Sequence, residues 1–364
     1  MHSHLILYCL IFIVAGSYVD GAGRWRYISR HTGVNSTQPV DKWRDEYPKC
    51  GRHNQSPINF DTSRIQPSDT LQHIFFVDYD EHPPHHAWKI FNNGHTVVMK
   101  GNYTCPPQLQ GGALVDKYEV VQLHFHWGEE DFEGSEHRVD GHQYPLELHI
   151  VHKKRVHDEK ANDDKKELKN ENEDLNLAVI GIFFDVVSDE NANPNLDPVT
   201  QALERVIKPD EPVDAYLPTF TLQSLLPKYR DYYRYTGSLT TPPCDPVVKW
   251  SVFRQPVPIS RQQMEAFRRL EGHVHDEDGQ IQTVANATET RILKNFRPVQ
   301  PIGNRIVSLY SSRSASVRAD VHPGGASEAQ GRKAESPLEI QKSRATTIGS
   351  SLVGVLPLLV LTQL

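Results

Sequence analysis

VVQLHFHW (Val120–Trp127) sorts its side chains onto two faces. Successive residues of a strand point to opposite sides of the sheet. Val121, Leu123, Phe125 and Trp127 therefore share one face, all apolar, while Val120, Gln122, His124 and His126 share the other. A strand with one fully apolar face packs on a core and turns its opposite face elsewhere. The pattern predicts two imidazoles aimed to the same side, with Cα atoms roughly 6–7 Å apart, a span that one metal ion bridges. LELHIVH (Leu146–His152) follows the same scheme, with Glu147, His149 and Val151 opposite Leu148 and Ile150. Gly128–Pro145, between them, is rich in glycine and acidic residues. The two strands are thus expected to be antiparallel neighbours, with His149 completing a cluster with His124 and His126.

Three histidine nitrogens leave a fourth position open on a tetrahedral Zn2+, which is the catalytic rather than the closed structural arrangement. The second nitrogen of each ligand needs an acceptor that fixes its tautomer. Gln122 and Glu147 each precede a histidine by two residues on the same strand face, so they are the expected acceptors for His124 and His149.

Other runs have strand character: WKIF, TVVMK, LAVIGIFFDVV and VVKWSVF are rich in Val, Ile and Phe and bounded by Gly, Pro, Asn and Asp. Helical signals are few. Pro198–Val206 and Ser260–Leu270 are candidates, the latter with Ser260 as N-cap and Gln263 at the third helical position. No internal repeat is evident. The stretch from Arg24 to Tyr310 reads as a single, mainly β domain with minor helices. Lys153–Asp174 departs from that pattern, with seven basic against eight acidic residues, and reads as a solvated loop or exposed helix.

With 38% apolar and 23% charged residues, the 364-residue chain has the composition of a folded protein. Its formal charge of -7 argues against a nucleic-acid binder that relies on net positive charge. Residues 1–23 hold a short apolar run followed by small residues, the layout of a secretory signal peptide. Residues 311–364 contain no aromatic side chain and end in LVGVLPLLVLTQL. Small residues, a polar spacer and a short apolar tail form the pattern of a GPI-attachment signal. Ser343 is the expected attachment point, with 311–343 as a linker and 344–364 removed. The expected location is the outer face of the plasma membrane, held there by a lipid. Cys9 would leave with the signal, so Cys50, Cys105 and Cys244 remain: one bridge plus a leftover thiol, or an intermolecular contact. Asn35, Asn102 and Asn286 are expected glycosylation sites, while the proline in Asn54-Gln-Ser-Pro disfavours Asn54.

QLHFHWG (Gln122–Gly128) and GSEHRVDGHQYPLELHIVH (Gly134–His152) resemble the α-class carbonic anhydrase family. NQSPINF (Asn54–Phe60), NNGHTV (Asn92–Val97), GSLTTPPC (Gly237–Cys244), VVKWSVF (Val247–Phe253) and NFRPVQP (Asn295–Pro301) agree in order. The likeness spans about Arg24 to Tyr310, and the terminal signals and cysteine positions resemble the secreted, GPI-anchored branch. It implies one mainly β (α+β) domain around a large, mostly antiparallel twisted sheet of about ten strands, with short peripheral helices and a conical cleft. It implies reversible hydration of carbon dioxide to bicarbonate, with His124, His126 and His149 as zinc ligands. Thr240 matches the threonine that accepts a hydrogen bond from zinc-bound hydroxide, and Glu136 the carboxylate that accepts from that threonine. Val151, Val179, Leu239, Val248 and Trp250 match the apolar wall for carbon dioxide. His95 matches the proton shuttle, and Tyr27, Asn93 and Thr241 match residues that order the waters. Val98 departs from the family, several active members of which carry a polar residue there. Pairing of Cys50 with Cys244 is expected, since Cys105 sits beside the Asn102 sequon. The alternative is a catalytically inactive ectodomain of the same family serving as a binding or matrix protein, which would be expected to have lost ligand histidines.

Overall fold

The structure is a computed structural model that describes Trp25, Tyr27 and residues 39–155, 175–209, 212–275, 281–282 and 290–312. All lie within the first of two compact units, Met1–Asp320. The expected signal peptide, Asn35, Asn286, most of Lys153–Asp174, Ser343 and the terminal tail lie outside the described residues.

Ten strands form the main path of one large sheet. In chain order they are β1 (Gln66–Pro67), β2 (Ala87–Asn92), β3 (Val97–Gly101), β4 (Tyr118–Trp127), β5 (Leu146–Lys154), β6 (Leu177–Val187), β7 (Val213–Tyr216), β8 (Tyr232–Gly237), β9 (Val248–Phe253) and β10 (Ser308–Tyr310). Their spatial order is β7-β2-β3-β4-β5-β6-β9-β8-β10-β1, and Ile74–Val77, Gln108–Gly111 and Val257–Ser260 attach alongside. Most pairings are antiparallel, but the sheet is mixed. β6 runs parallel to β9 and to Val257–Ser260, and β10 runs parallel to β1.

β6 shows why the runs that lack alternation are strands. Leu177–Phe184 is buried residue after residue because both faces of the sheet are covered here. Ala178, Ile180, Ile182 and Phe184 enter one hydrophobic cluster, and Leu177, Val179 and Phe183 enter another on the opposite face. The first cluster also takes Leu123, Phe125 and Trp127 from β4 and Leu148 and Ile150 from β5, all fully buried. The expected apolar face of β4 is corrected at one residue. The β4–β5 register shifts between Val120 and Gln122, so Val121 is expelled to the surface and Val120 packs against the core in its place. A bulge of this kind breaks the two-residue period and bends the strand.

The helices are short and peripheral: Pro39–Glu46, Asp197–Leu203 and Arg261–Arg268. The last begins as its sequence dictates. The Ser260 hydroxyl accepts from the Gln263 amide, and the Gln263 side chain accepts from the Ser260 amide. Cys50 and Cys244 form a disulfide, and Cys105 is free and exposed.

Candidate metal centre

The sheet register builds the site. His124 of β4 lies directly opposite His149 of β5, and Val98 of β3 lies opposite His124 on its other side. His126 follows two residues along β4. One nitrogen from each of the three histidines lies within 4.8 Å of the others. His126 and His149 are 1% exposed, so the cluster is built into the sheet and does not rest on mobile surface side chains.

The outer nitrogens are all engaged. His124 Nδ1 donates to Gln122 Oε1 at 3.0 Å, and His149 Nε2 donates to Glu147 Oε1 at 2.8 Å, both as the sequence predicts. His126 Nδ1 donates to the main-chain carbonyl of Asn295 at 2.7 Å, a partner the sequence did not suggest. These bonds fix the tautomers, so the inner nitrogens carry lone pairs. In neutral rings, His126 Nε2 and His149 Nδ1 then face each other at 3.1 Å as two acceptors. Burial pushes the pKa of all three imidazoles down, that of His126 to about 3, with the neighbouring histidines adding to the effect. Neutral imidazoles with converging lone pairs repel one another and bind a cation well.

The acceptors are themselves held. Glu147 Oε2 accepts from the amides of Glu136 and His137, and its Oε1 also accepts from His137 Nδ1 at 2.7 Å. Burial works to raise the Glu147 pKa, but His137 and His149 hold it well below the usual carboxylate range. His137, Glu147 and His149 also lie close enough to share an ion. Hydrogen bonds already join those three, and they serve to orient His149. Gly181 of β6, opposite His149, leaves the room this needs: a Cβ there would lie 3.1 Å from Glu147 Oε1.

Glu136 and Thr240 sit beside the cluster, 1% and 5% exposed. Thr240 neighbours the Glu136 carboxyl and favours its ionised form, and the Arg297 amide donates to Glu136 Oε1 at 2.9 Å. Glu136 Oε2 is buried without a hydrogen-bond partner, 3.4 Å from His126 Nε2 and 3.9 Å from His149 Nδ1. Desolvation pushes the Glu136 pKa well above the usual carboxylate range, against the pull of Thr240 and Arg297. A buried, unpartnered carboxyl oxygen beside two inward-facing imidazole nitrogens is a surrounding that a divalent ion would complete.

Val151, Val179 and Trp250 are opposed on three adjacent strands, and Val248 and Leu239 join the same apolar cluster. The Trp250 ring centroid is 4.7 Å from that of His149, so this wall abuts the histidines. Thr241 follows Thr240, and its carbonyl accepts from the Cys244 amide. His95 is half-buried, its ring stacked on Trp25 at 4.0 Å and 17°, with Tyr27 at 6.4 Å. Asn93 Oδ1 accepts from the amides of His95 and Thr96, which shapes the turn carrying His95. Asn102 is exposed.

Sequence reasoning missed Asn295, Arg297, His137 and Gly181. NFRPVQP carries the first two, but only as part of a motif with no assigned role.

A mainly β chain with a three-histidine centre, a Thr–Glu pair and an adjoining apolar wall has the makings of a hydrolytic or hydrating metalloenzyme. The family model for eukaryotic-type carbonic anhydrases matches residues 38–311, and the chain belongs to that family of enzymes. Mouse carbonic anhydrase 15 is 33% identical over 326 residues, covering 86% of this chain and 91% of its own. Rat carbonic anhydrase 4 is 34% identical, covering 82% and 89%. Human carbonic anhydrase 12 is 35% identical, covering 79% and 73%.

Proposed function

We propose that the protein hydrates carbon dioxide reversibly to bicarbonate and a proton with one zinc ion held by His124, His126 and His149. The observation that carries this is the 3.1 Å approach of His126 Nε2 and His149 Nδ1, whose other ring nitrogens both face outward acceptors. A metal ion between them would take up both lone pairs. When bound, zinc supplies the Lewis acidity that brings a coordinated water to a pKa of about 7, for which carbonic anhydrase is the standard example.

The remaining work falls to the chain. Ionised beside a bound cation, Glu136 would accept a hydrogen bond from the Thr240 hydroxyl, leaving Thr240 Oγ1 to accept on its open side and orient an attacking oxygen there. Val151, Val179, Leu239, Val248 and Trp250 offer carbon dioxide, which is apolar, a wall without donors beside that oxygen. The His95 ring takes the proton outward at a nitrogen, since an imidazole with an ordinary pKa of about 6.5 both accepts and releases a proton near neutrality. Tyr27, Asn93 and Thr241 order the waters between. The apolar Val98 beside His124 removes one polar anchor from that water chain.

The Cys50–Cys244 disulfide supports an oxidising compartment. Together with the terminal patterns it supports secretion and a GPI lipid at Ser343. The inactive-ectodomain reading is disfavoured by the intact ligand set. Metal analysis of the purified protein and hydration assays with and without an aromatic sulfonamide test the proposal. One zinc per chain and sulfonamide-sensitive activity are expected. Full activity in a metal-free sample overturns it.

A further inference from the structure

A second cleft, of about 670 Å3, is lined by none of the three histidines. That volume is in the range of sites for small molecules, roughly 300–1,000 Å3. Its cationic side chains are Arg44, Arg52, His53 and Arg297, with side-chain amides including Gln55 and Gln300 between them. Among the described residues, no carboxylate lines it. Arg44 and Arg52 are exposed, and neither has an acidic partner among the described residues.

Arg297 is the telling residue. It is 3% exposed, yet every hydrogen bond its guanidinium makes goes to a neutral acceptor: Gln55 Oε1, the Ser56 carbonyl and the Cys50 carbonyl. Its Nε is buried without a hydrogen-bond partner, and the guanidinium lies over the Trp43 ring at 5.7 Å. Glu136 accepts from the Arg297 main-chain amide, not from the guanidinium. A buried cation without a hydrogen-bonded counter-charge is costly, and an unmet donor adds to that cost. Burial lowers the Arg297 pKa to about 10, against the through-space pull of Glu136. A planar guanidinium is matched best by a carboxylate or sulfate that accepts two parallel hydrogen bonds. A single bicarbonate would leave most of the volume empty. The amide side chains suit the hydroxyl and carbonyl groups of a larger polar scaffold.

We propose that this cleft binds a multiply charged oxyanion of sugar or tricarboxylate size, with Arg297 at its floor and Arg44 and Arg52 at its mouth. The site is separate from the histidine centre and does not depend on the metal reading.

Calorimetric titration of the full chain with tricarballylate, and separately with a sulfated disaccharide, tests it. The parent is compared with an Arg44→Ala/Arg52→Ala double variant at low salt. The histidine centre is common to both and cancels in the comparison. Saturable binding of at least one probe is expected, weakened about tenfold or more in the double variant and by added sodium chloride. Neither arginine belongs to the catalytic machinery, so the hydration rate should match the parent and certify the fold. Tricarballylate binding alone assigns a carboxylate ligand, and disaccharide binding alone assigns a sulfated sugar. If neither probe saturates, or if the double variant binds as tightly as the parent, the proposal fails.

Discussion

Replacing Asn295 with alanine should cost stability without emptying the metal centre. The Asn295 side chain is fully buried and ties three segments together. Its Oδ1 accepts from the Trp127 amide at 2.6 Å, and its Nδ2 donates to the carbonyls of Phe125 at 3.0 Å and His95 at 3.1 Å. In Asn295→Ala the Phe125 carbonyl keeps a donor, the Thr96 hydroxyl. The Trp127 amide loses its partner, and an unpaired buried donor costs about 1–3 kcal/mol. His95 is half-buried, so water compensates part of its loss. With a small cavity added, the total comes to about 2–4 kcal/mol. His126 is spared, because its acceptor is the main-chain carbonyl of residue 295, which the substitution leaves in place. Urea unfolding at neutral pH measures the first quantity, and metal analysis after zinc dialysis measures the second. Asn295→Asp should be no better, since it sets an oxygen against two carbonyl oxygens. A loss below about 0.5 kcal/mol, the range of an ordinary surface change, would refute the bridging role.

Replacing both Cys50 and Cys244 with serine opens a crosslink across a sequence separation of 194 and should destabilise the fold by about 2–5 kcal/mol in the same assay. An unchanged midpoint with an unchanged slope would contradict this. His152 is buried, donates to the Ala178 carbonyl and receives the Tyr79 hydroxyl, and burial lowers its pKa to about 3. The unfolded chain takes up that proton below about pH 6.5 while the native state stays neutral, so stability falls as the pH drops from about 6.5 toward 3. Between pH 4.5 and 5.5 its share of the slope is about 1.4 kcal/mol per pH unit, and His152→Gln should flatten the curve by that amount; a slope equal to the parent's would disprove the assignment. His95→Ala should retain zinc and turn over slowly in weak buffer, with recovery on adding imidazole; a variant as fast as the parent at low buffer would send the proton by another route. Thr240→Ala should keep zinc and lose much of the rate, and an undiminished rate would remove Thr240 from the orientation of the attacking oxygen.

The histidine centre was legible because strand geometry is periodic. The two-residue period of VVQLHFHW and LELHIVH put three imidazoles and two of their acceptors on one face, and the register His124 opposite His149 completed the work. The Ser260–Gln263 capping box was legible for a similar reason, as a local pattern that closes on itself within four residues. Legibility ended where periodicity did. Val121 read as core because a bulge carries no mark in the residues around it. The parallel pairing of β6 with β9 is set by where the chain returns after β8, some sixty residues later, and no short window contains that.

The acceptor of His126 shows a deeper limit. Gln122 and Glu147 can be read because they are side chains at fixed offsets from the histidines they hold. Asn295 supplies a main-chain carbonyl, and every residue has one, so its identity says nothing of the role. What singles it out is its side chain, which locks the same residue to Trp127, Phe125 and His95 and so holds the carbonyl in place. Arg297 works the same way two positions on. Its amide holds Glu136, while its guanidinium fastens the residue to Gln55, Ser56 and Cys50. In both cases the backbone atom holds the site residue and the side chain is the anchor. The segment Asn295–Arg297 thereby joins the three-histidine cluster, Glu136 and the disulfide region, which holds the groups of the proposed site in a fixed relation.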